Sequence, residues 1–180
     1  LGRVLARDIA ASIDVPPFDR SGVDGFAVRA ADTAGASEAT PRRLNLNREV
    51  IACGHAPQIE VAPGTATALA TGGVIPRGAD AVVMIEHTEL LDDPQAPAIE
   101  IRRAAAPGQF IGYAGSDIAR GETLLRKNTL IGSREIGMLA ACGIAQVDVI
   151  RRPTVAVLST GDELVPVGEA LPPAGIYDSN

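Results

Sequence analysis

The residues of this chain that could do chemistry sit in a few short stretches. Asp24 stands in Ser21-Gly22-Val23-Asp24-Gly25. Thr71 opens Thr71-Gly72-Gly73, and Asp117 stands in Gly115-Ser116-Asp117-Ile118. Asp162, Glu163 and Asp178 follow near the end. A carboxylate on a glycine-framed turn is held by backbone, and binding groups concentrate on such loops. Asp24 fits that description, and it equally fits the ordinary aspartate of an Asp-Gly turn. Thr71-Gly72-Gly73 is a candidate backbone nest for an anion with an added hydroxyl donor, or a plain Gly-Gly bend. Asp117 is a ligand-facing acid or a turn cap. Asp162, Glu163 and Asp178 form either a solvated acidic loop or, beside a phosphate-bearing ligand, a site for a hard cation. Mg²⁺ takes one or two carboxylates together with phosphate oxygens and waters.

Short strands and turns must position these groups. Pro16 and Pro17 fix φ and end whatever strand precedes Asp24, and Phe26-Ala27-Val28 behind it is strand-like. Leu44 to Val50, Thr65 to Ala70, Ala81 to Leu91 and Ala98 to Arg102 read as further strands. Pro63-Gly64, Pro76 to Asp80 and Asp92-Asp93-Pro94 punctuate them as turns. Residues 16–104 therefore read as a β-rich domain. Residues 3–9, 123–130 and 146–150 are strand-like as well, and Ser133 is placed to N-cap a helix that Gly143 ends. The expected fold is α+β and β-rich. An elongated segment of residues 1–15 and 105–150 carries the β domain 16–104 as an insertion. Residues 151–180 begin an α/β domain, because Thr154-Val155-Ala156-Val157-Leu158 looks like a buried parallel strand. Ser159 to Glu163 would then lie at its carboxyl end, where open α/β sheets bind ligands.

Composition narrows the function classes. Aromatics are 3% and Trp is absent, while hydrophobic residues are 46%, so the core must be aliphatic. A net charge of −6 disfavours nucleic acid, which wants a basic face. Cys53 and Cys142 are isolated, and His55 and His87 are the only histidines, so a zinc site or disulfide framework is not expected. Two isolated thiols suit a reducing cytoplasm. No apolar run approaches the roughly 20 residues of a membrane span. The chain opens at Leu1 within a strand-like pattern and stops just after a motif, so it reads as a piece of a larger protein.

Pro16-Pro17-Phe18-Asp19-Arg20-Ser21-Gly22-Val23-Asp24-Gly25-Phe26-Ala27-Val28 resembles the signature of the MoeA-type molybdopterin molybdotransferases, to which the C-terminal part of gephyrin is related. Phe26 stands where the family usually shows Tyr. Thr71 to Pro76, Gly115 to Ile118, Ser159 to Leu164 and Tyr177 to Asn180 are similar to the same family in the same order. The resemblance implies an enzyme of molybdenum cofactor biosynthesis. With a divalent cation such as Mg²⁺, it cleaves adenylylated molybdopterin and inserts molybdate into the dithiolene. By matched motif it implies catalytic roles for Asp24, Thr71, Asp117 and Glu163. It also implies pterin contacts from Thr160, Gly161, Asp178 and Ser179, metal contacts from Glu163 and Asp178, and an oxyanion contact from Thr71. A homodimer through the elongated segment, and an adenylyltransferase-type partner that supplies the substrate, are implied in the same way. Residues 1–180 alone would be catalytically silent, because the pterin cradle would be incomplete. A dimerisation or scaffold module without catalysis is the competing reading, and a generic α/β sugar-phosphate or nucleotide enzyme is a weaker third.

Overall fold

Gly25-Phe26-Ala27-Val28 carries no polar side chain, so a strand made from it must be covered on both faces. In the computed structural model, which describes residues 1–91 and 96–179, all four are buried. Around this strand, in chain order, lie β1 (Ile9–Ala10), β2 (Arg20–Ser21), β3 (Gly25–Val28), β4 (Arg42–Ile51), β5 (Thr65–Leu69), β6 (Ala81–Met84) and β7 (Thr88–Leu91). There follow β8 (Ala98–Ile101), β9 (Ile111–Gly112), β10 (Thr123–Leu125), α1 (Ser133–Ala141), β11 (Leu164–Val165) and β12 (Ile176–Tyr177). Its regular elements are nearly all strands, with one α-helix, as its turn-rich composition implies.

Six strands form one sheet in the order β6-β3-β5-β4-β8-β7, antiparallel except for β4 against β5. Side chains alternate across it. Phe26, Val28, Leu44, Val83, Ile99 and Ile101 pack on one face, and Ala27, Ile51, Val61, Leu69 and Val82 on the other. Each fully buried aliphatic side chain contributes about 1.5–3 kcal/mol, which is how a core forms without tryptophan.

The uninterrupted strand expected over Ala81 to Leu91 is instead two strands, β6 and β7, separated by a tight turn at Ile85–His87. Apolar patterning carries β propensity through Ile85, but the backbone there is diverted. The Ile85 N–H donates to the Asp24 carbonyl at 3.1 Å, and the Thr88 hydroxyl donates to the Ile85 carbonyl at 2.9 Å. The break shapes the whole sheet. β6 and β7 are its two edges, and six strands at about 4.8 Å spacing would put flat edges roughly 24 Å apart. Three intervening residues reach only about half of that. The sheet must therefore curl until its edges approach.

A third aliphatic cluster, Leu5, Leu125, Ile131 and Leu139, lies outside this sheet. The opening segment pairs with it. Ile9 opposes Leu125, and single bridges join Val4 to Leu130 and Leu5 to Val149. The strands expected over 3–9, 123–130 and 146–150 are thus shorter than read. In the middle stretch the chain turns at Asn128, whose φ is +72°, and the Asp8 carboxylate accepts the Lys127 N–H. Helix α1 is present, but its N-cap is Gly132 rather than Ser133. The Glu135 carboxylate accepts the Gly132 N–H at 2.9 Å, so the acid and not the serine hydroxyl organises the first turn.

Thr154 to Leu158, expected as a buried strand, has no strand partner among the described residues, and Val155, Val157 and Leu158 are exposed. An apolar run becomes a buried strand only where a neighbouring strand offers its ladder. Residues 159–179 provide only the two-residue parallel pair of β11 and β12. The turn expected at Asp92-Asp93-Pro94 and the residue Asn180 lie outside the described residues. No helix among them is long and apolar enough to cross a membrane.

Candidate functional site

Asp24 and Thr71 are 47 positions apart in sequence and meet in space because β3 and β5 are paired, Gly25 opposite Leu69. Both lie just off the strand ends. The Thr71 N–H donates to Asp24 Oδ1 at 2.7 Å, and the Thr71 hydroxyl donates to the same oxygen at 2.9 Å. Asp24 Oδ2 makes no hydrogen bond among the described residues, and the residue is exposed, so this oxygen is an unspent acceptor. The Thr71 N–H, and after it the Thr71 hydroxyl, hold the Asp24 carboxyl below the ordinary aspartate value by stabilising its charged form.

A carboxylate whose folded pKa lies below its unfolded one gives stability that is fully present above the unfolded value. That stability is lost as pH falls through the folded pKa. Thr71→Val removes the hydroxyl donor and keeps the amide, so the Asp24 pKa should rise part of the way toward the ordinary value. A ¹³C NMR titration of the Asp24 carboxyl checks this, and an unchanged midpoint would show that the hydroxyl bond is absent in solution.

The anion nest expected at Thr71-Gly72-Gly73 is not available as donors. The Thr71 N–H is spent on Asp24, the Gly72 N–H on the Ser21 carbonyl at 2.8 Å, and the Gly73 N–H on the Ala70 carbonyl at 2.8 Å. The loop binds the Asp24 segment instead of a ligand. Ser21, which the sequence reading did not single out, is the counterpart. Its N–H donates to the Gly73 carbonyl, and its buried hydroxyl lies 2.6 Å from the Val23 carbonyl and 3.2 Å from the Val23 nitrogen. The one signal of this in the sequence is a serine placed where strand alternation points inward, beside the outward Arg20.

Asp117 is exposed on the turn after β9. Its N–H donates to the Val15 carbonyl, and its carboxylate lies 4.0 Å from the Arg20 guanidinium. The turn is tied to the Asp24 segment by a second acid, since Asp19 Oδ1 accepts the Ala114 N–H at 2.8 Å. Strand β2 pairs with β9, Arg20 opposite Gly112, and Arg20 also bridges to Val74. The backbone of residues 19–24 therefore runs between the Thr71 loop and the Asp117 turn, which collects Asp24, Thr71 and Asp117 around one segment.

The later candidates form a second group. Ser159, Gly161, Leu164, Val165, Pro166 and Asp178 line a cavity of about 330 Å³. The Ser159 hydroxyl donates to Asp178 Oδ1 at 3.0 Å. The Glu163 carboxylate folds back over Gly161, where a Cβ would come within 2.6 Å of it. Thr160, Asp162, Glu163 and Ser179 are exposed and do not line the cavity, so of the later candidates it gathers Gly161 and Asp178. Among the described residues no group of three or more metal-ligating side chains could hold an ion unaided. Glu163 and Asp178 offer only hard oxygen donors, and two carboxylates suffice for Mg²⁺ that keeps waters and phosphate oxygens.

Residues 1–143 match the family model described as the MoeA N-terminal region, domains I and II. The chain is 42% identical over 180 residues to the molybdopterin molybdenumtransferase of Bacillus subtilis, covering 100% of this chain and 42% of that one. It is 39% identical over 179 residues to the molybdopterin molybdenumtransferase 2 of Mycobacterium tuberculosis, covering 99% of this chain and 43% of that one. The crystal structure of the molybdopterin biosynthesis MoeA protein from Pyrococcus horikoshii superposes with a TM-score of 0.91 at 44% identity. That match covers 99% of this chain and 44% of that one. The chain thus spans under half the length of the relatives it matches.

Proposed function

The chain belongs to the MoeA family, matching its N-terminal region, and from that premise we propose that it presents Asp24, Thr71 and Asp117 to adenylylated molybdopterin in a molybdopterin molybdotransferase. The observation that carries this reading is the Asp24–Thr71 pair. Two donors on Oδ1 keep the carboxylate ionised and fix its direction, so that Oδ2 can hold a water or accept a proton at a set place. The Thr71 hydroxyl proton is directed at Asp24 in this geometry, so an oxyanion contact by Thr71 would require that bond to break. Asp117 lies 4.0 Å from the Arg20 guanidinium and orients it electrostatically.

Glu163 and Asp178 would hold Mg²⁺, which when bound neutralises charge on the phosphate of the adenylate. Thr160, Gly161, Asp178 and Ser179 would contact the pterin. The 180 residues alone are expected to be inactive, because Thr154 to Leu158 has no strand partner among the described residues and the segment after it holds only the two-residue pair of β11 and β12. The test is conversion of adenylylated molybdopterin and molybdate to molybdenum cofactor by a chain of the relatives' length, with and without Mg²⁺. Absence of turnover under both conditions would overturn the enzyme reading in favour of a scaffold. An adenylyltransferase-type enzyme would supply the substrate. Two unpaired cysteines, Cys53 and Cys142, support a cytoplasmic setting.

A homodimer belongs to the same proposal. Leu1, Ile131, Ile136, Leu139, Ile144, Val147 and Val149 line an apolar groove of about 250 Å³ beside α1, and Leu130, Met138 and Ile150 are exposed nearby. Sedimentation velocity of a chain of the relatives' length at micromolar concentration should show a dimer. Only monomer would count against it.

A further inference from the structure

We propose that Arg20 is the anion-contacting residue of the Asp24–Thr71–Asp117 site, receiving the tetrahedral phosphate or molybdate group of the substrate. The inference rests on the reading that this site takes an anionic substrate. Its carboxylates, Asp19, Asp24 and Asp117, repel such a group, and the chain carries a net charge of −6. An anion can settle there only against donors that outweigh them.

Backbone amides do not supply those donors. All three N–H groups of residues 71–73 and all four of residues 114–117 donate within the protein. The Thr71 hydroxyl donates to Asp24 and the Ser21 hydroxyl is committed to Val23. Arg20 is different. The single polar interaction of its guanidinium among the described residues is the 4.0 Å ion pair with Asp117, too long to be a hydrogen bond. Its guanidinium therefore keeps its N–H donors free, in the planar fork that suits phosphate-like oxyanions. The side chain is 49% exposed, so a ligand can reach it.

Its placement is built by the fold. Arg20 pairs with Gly112 on one side and bridges Val74 on the other. A Cβ on Gly112 would lie 3.6 Å from the Arg20 Cγ, so the arginine stem runs across that glycine. Asp117 then steers the guanidinium electrostatically without consuming its hydrogen bonds. The residue is thus held between the Thr71 loop and the Asp117 turn with its donors unspent.

The experiment is an NMR titration of this 180-residue chain with sodium molybdate and, separately, with AMP, using sodium chloride as the ionic-strength control. Both probes should shift the Arg20 Nε–H signal and the Ser21 and Gly112 amides. A response to molybdate alone assigns the contact to the metal oxyanion, and a response to AMP alone assigns it to the adenylate phosphate. Arg20→Gln should weaken binding roughly 10- to 100-fold, the size of a lost charge-assisted hydrogen bond. Arg20→Lys should weaken it less. Asp117→Asn should strengthen it, since it removes a competing negative charge. A purely structural Arg20–Asp117 strut predicts no gain in Asp117→Asn, so that sign separates the two roles. Shifts confined to other residues, or equal binding by Arg20→Gln, overturn the proposal and leave the family activity standing. No shift with either anion overturns it too. A shift at Arg20 together with a chain of the relatives' length that never turns over would sink the activity and keep the anion contact.

Discussion

Asp24→Asn, in a chain of the relatives' length, should abolish most molybdate insertion while leaving the fold intact. Asparagine is nearly isosteric, and its Oδ1 can still accept both Thr71 bonds. The change falls on the other atom. Oδ2, an unspent anionic acceptor, becomes an NH₂ donor that can neither take a proton nor position a water through its lone pairs. Loss of a positioned acid–base group costs roughly 100- to 10,000-fold. Turnover should fall by that order, with a thermal unfolding curve like that of an ordinary surface substitution. Wild-type turnover in the variant would return Asp24 to the status of a turn residue. A collapsed unfolding transition would show instead that the charge on Oδ1 holds the Thr71 loop in place.

Gly25→Ala should be the most damaging single methyl added near the site. A Cβ at residue 25 would stand 2.0 Å from the Val83 carbonyl oxygen and 2.9 Å from its carbon. Both are backbone atoms in the ladder between β3 and β6, so no side chain can swing away. The strands must part or shift, at a cost of about 3 kcal/mol or more. Because Asp24 precedes Gly25 and its carbonyl accepts the Ile85 N–H, the same shift would disturb the carboxylate. Urea unfolding should show a large drop in midpoint. Gly137→Ala is the control: nothing lies within 4 Å of a Cβ there. Alanine is the better helix former by about 1 kcal/mol, so that variant should gain stability. Equal midpoints for Gly25→Ala and wild type would mean that β6 does not approach β3 as closely as described.

Much of this protein is local in origin, and so it can be read from the sequence. Glycine and proline punctuation marks the turns, because φ preference belongs to single residues. The strands β3 and β8 are apolar at the spacing their burial requires. The helix end at Gly143, with φ of +70°, follows from the one residue that adopts that conformation without cost. The family resemblance, carried by motifs in order, identified the chain as MoeA-like. It could not say what each motif residue touches.

What only the tertiary structure decided concerns partners. Thr71-Gly72-Gly73 has the composition of an anion nest, but pairing of β3 with β5 brings Asp24 and Ser21 to its amides first. A donor is available to a ligand only if the fold leaves it unspent. The run from Ala81 to Leu91 has strand propensity throughout, yet its two halves lie on opposite edges of the curled sheet, which requires a break between them, and the Asp24 carbonyl fixes where. Thr154 to Leu158 has the pattern of a buried strand and lacks a neighbour, because pattern specifies what a segment can bury and not whether anything is there to cover it. Arg20 looks in sequence like one more charged residue in a turn. Its role depends on lying between two loops that are more than 30 residues apart in the chain, and such a position is set only when long-range backbone pairing places both.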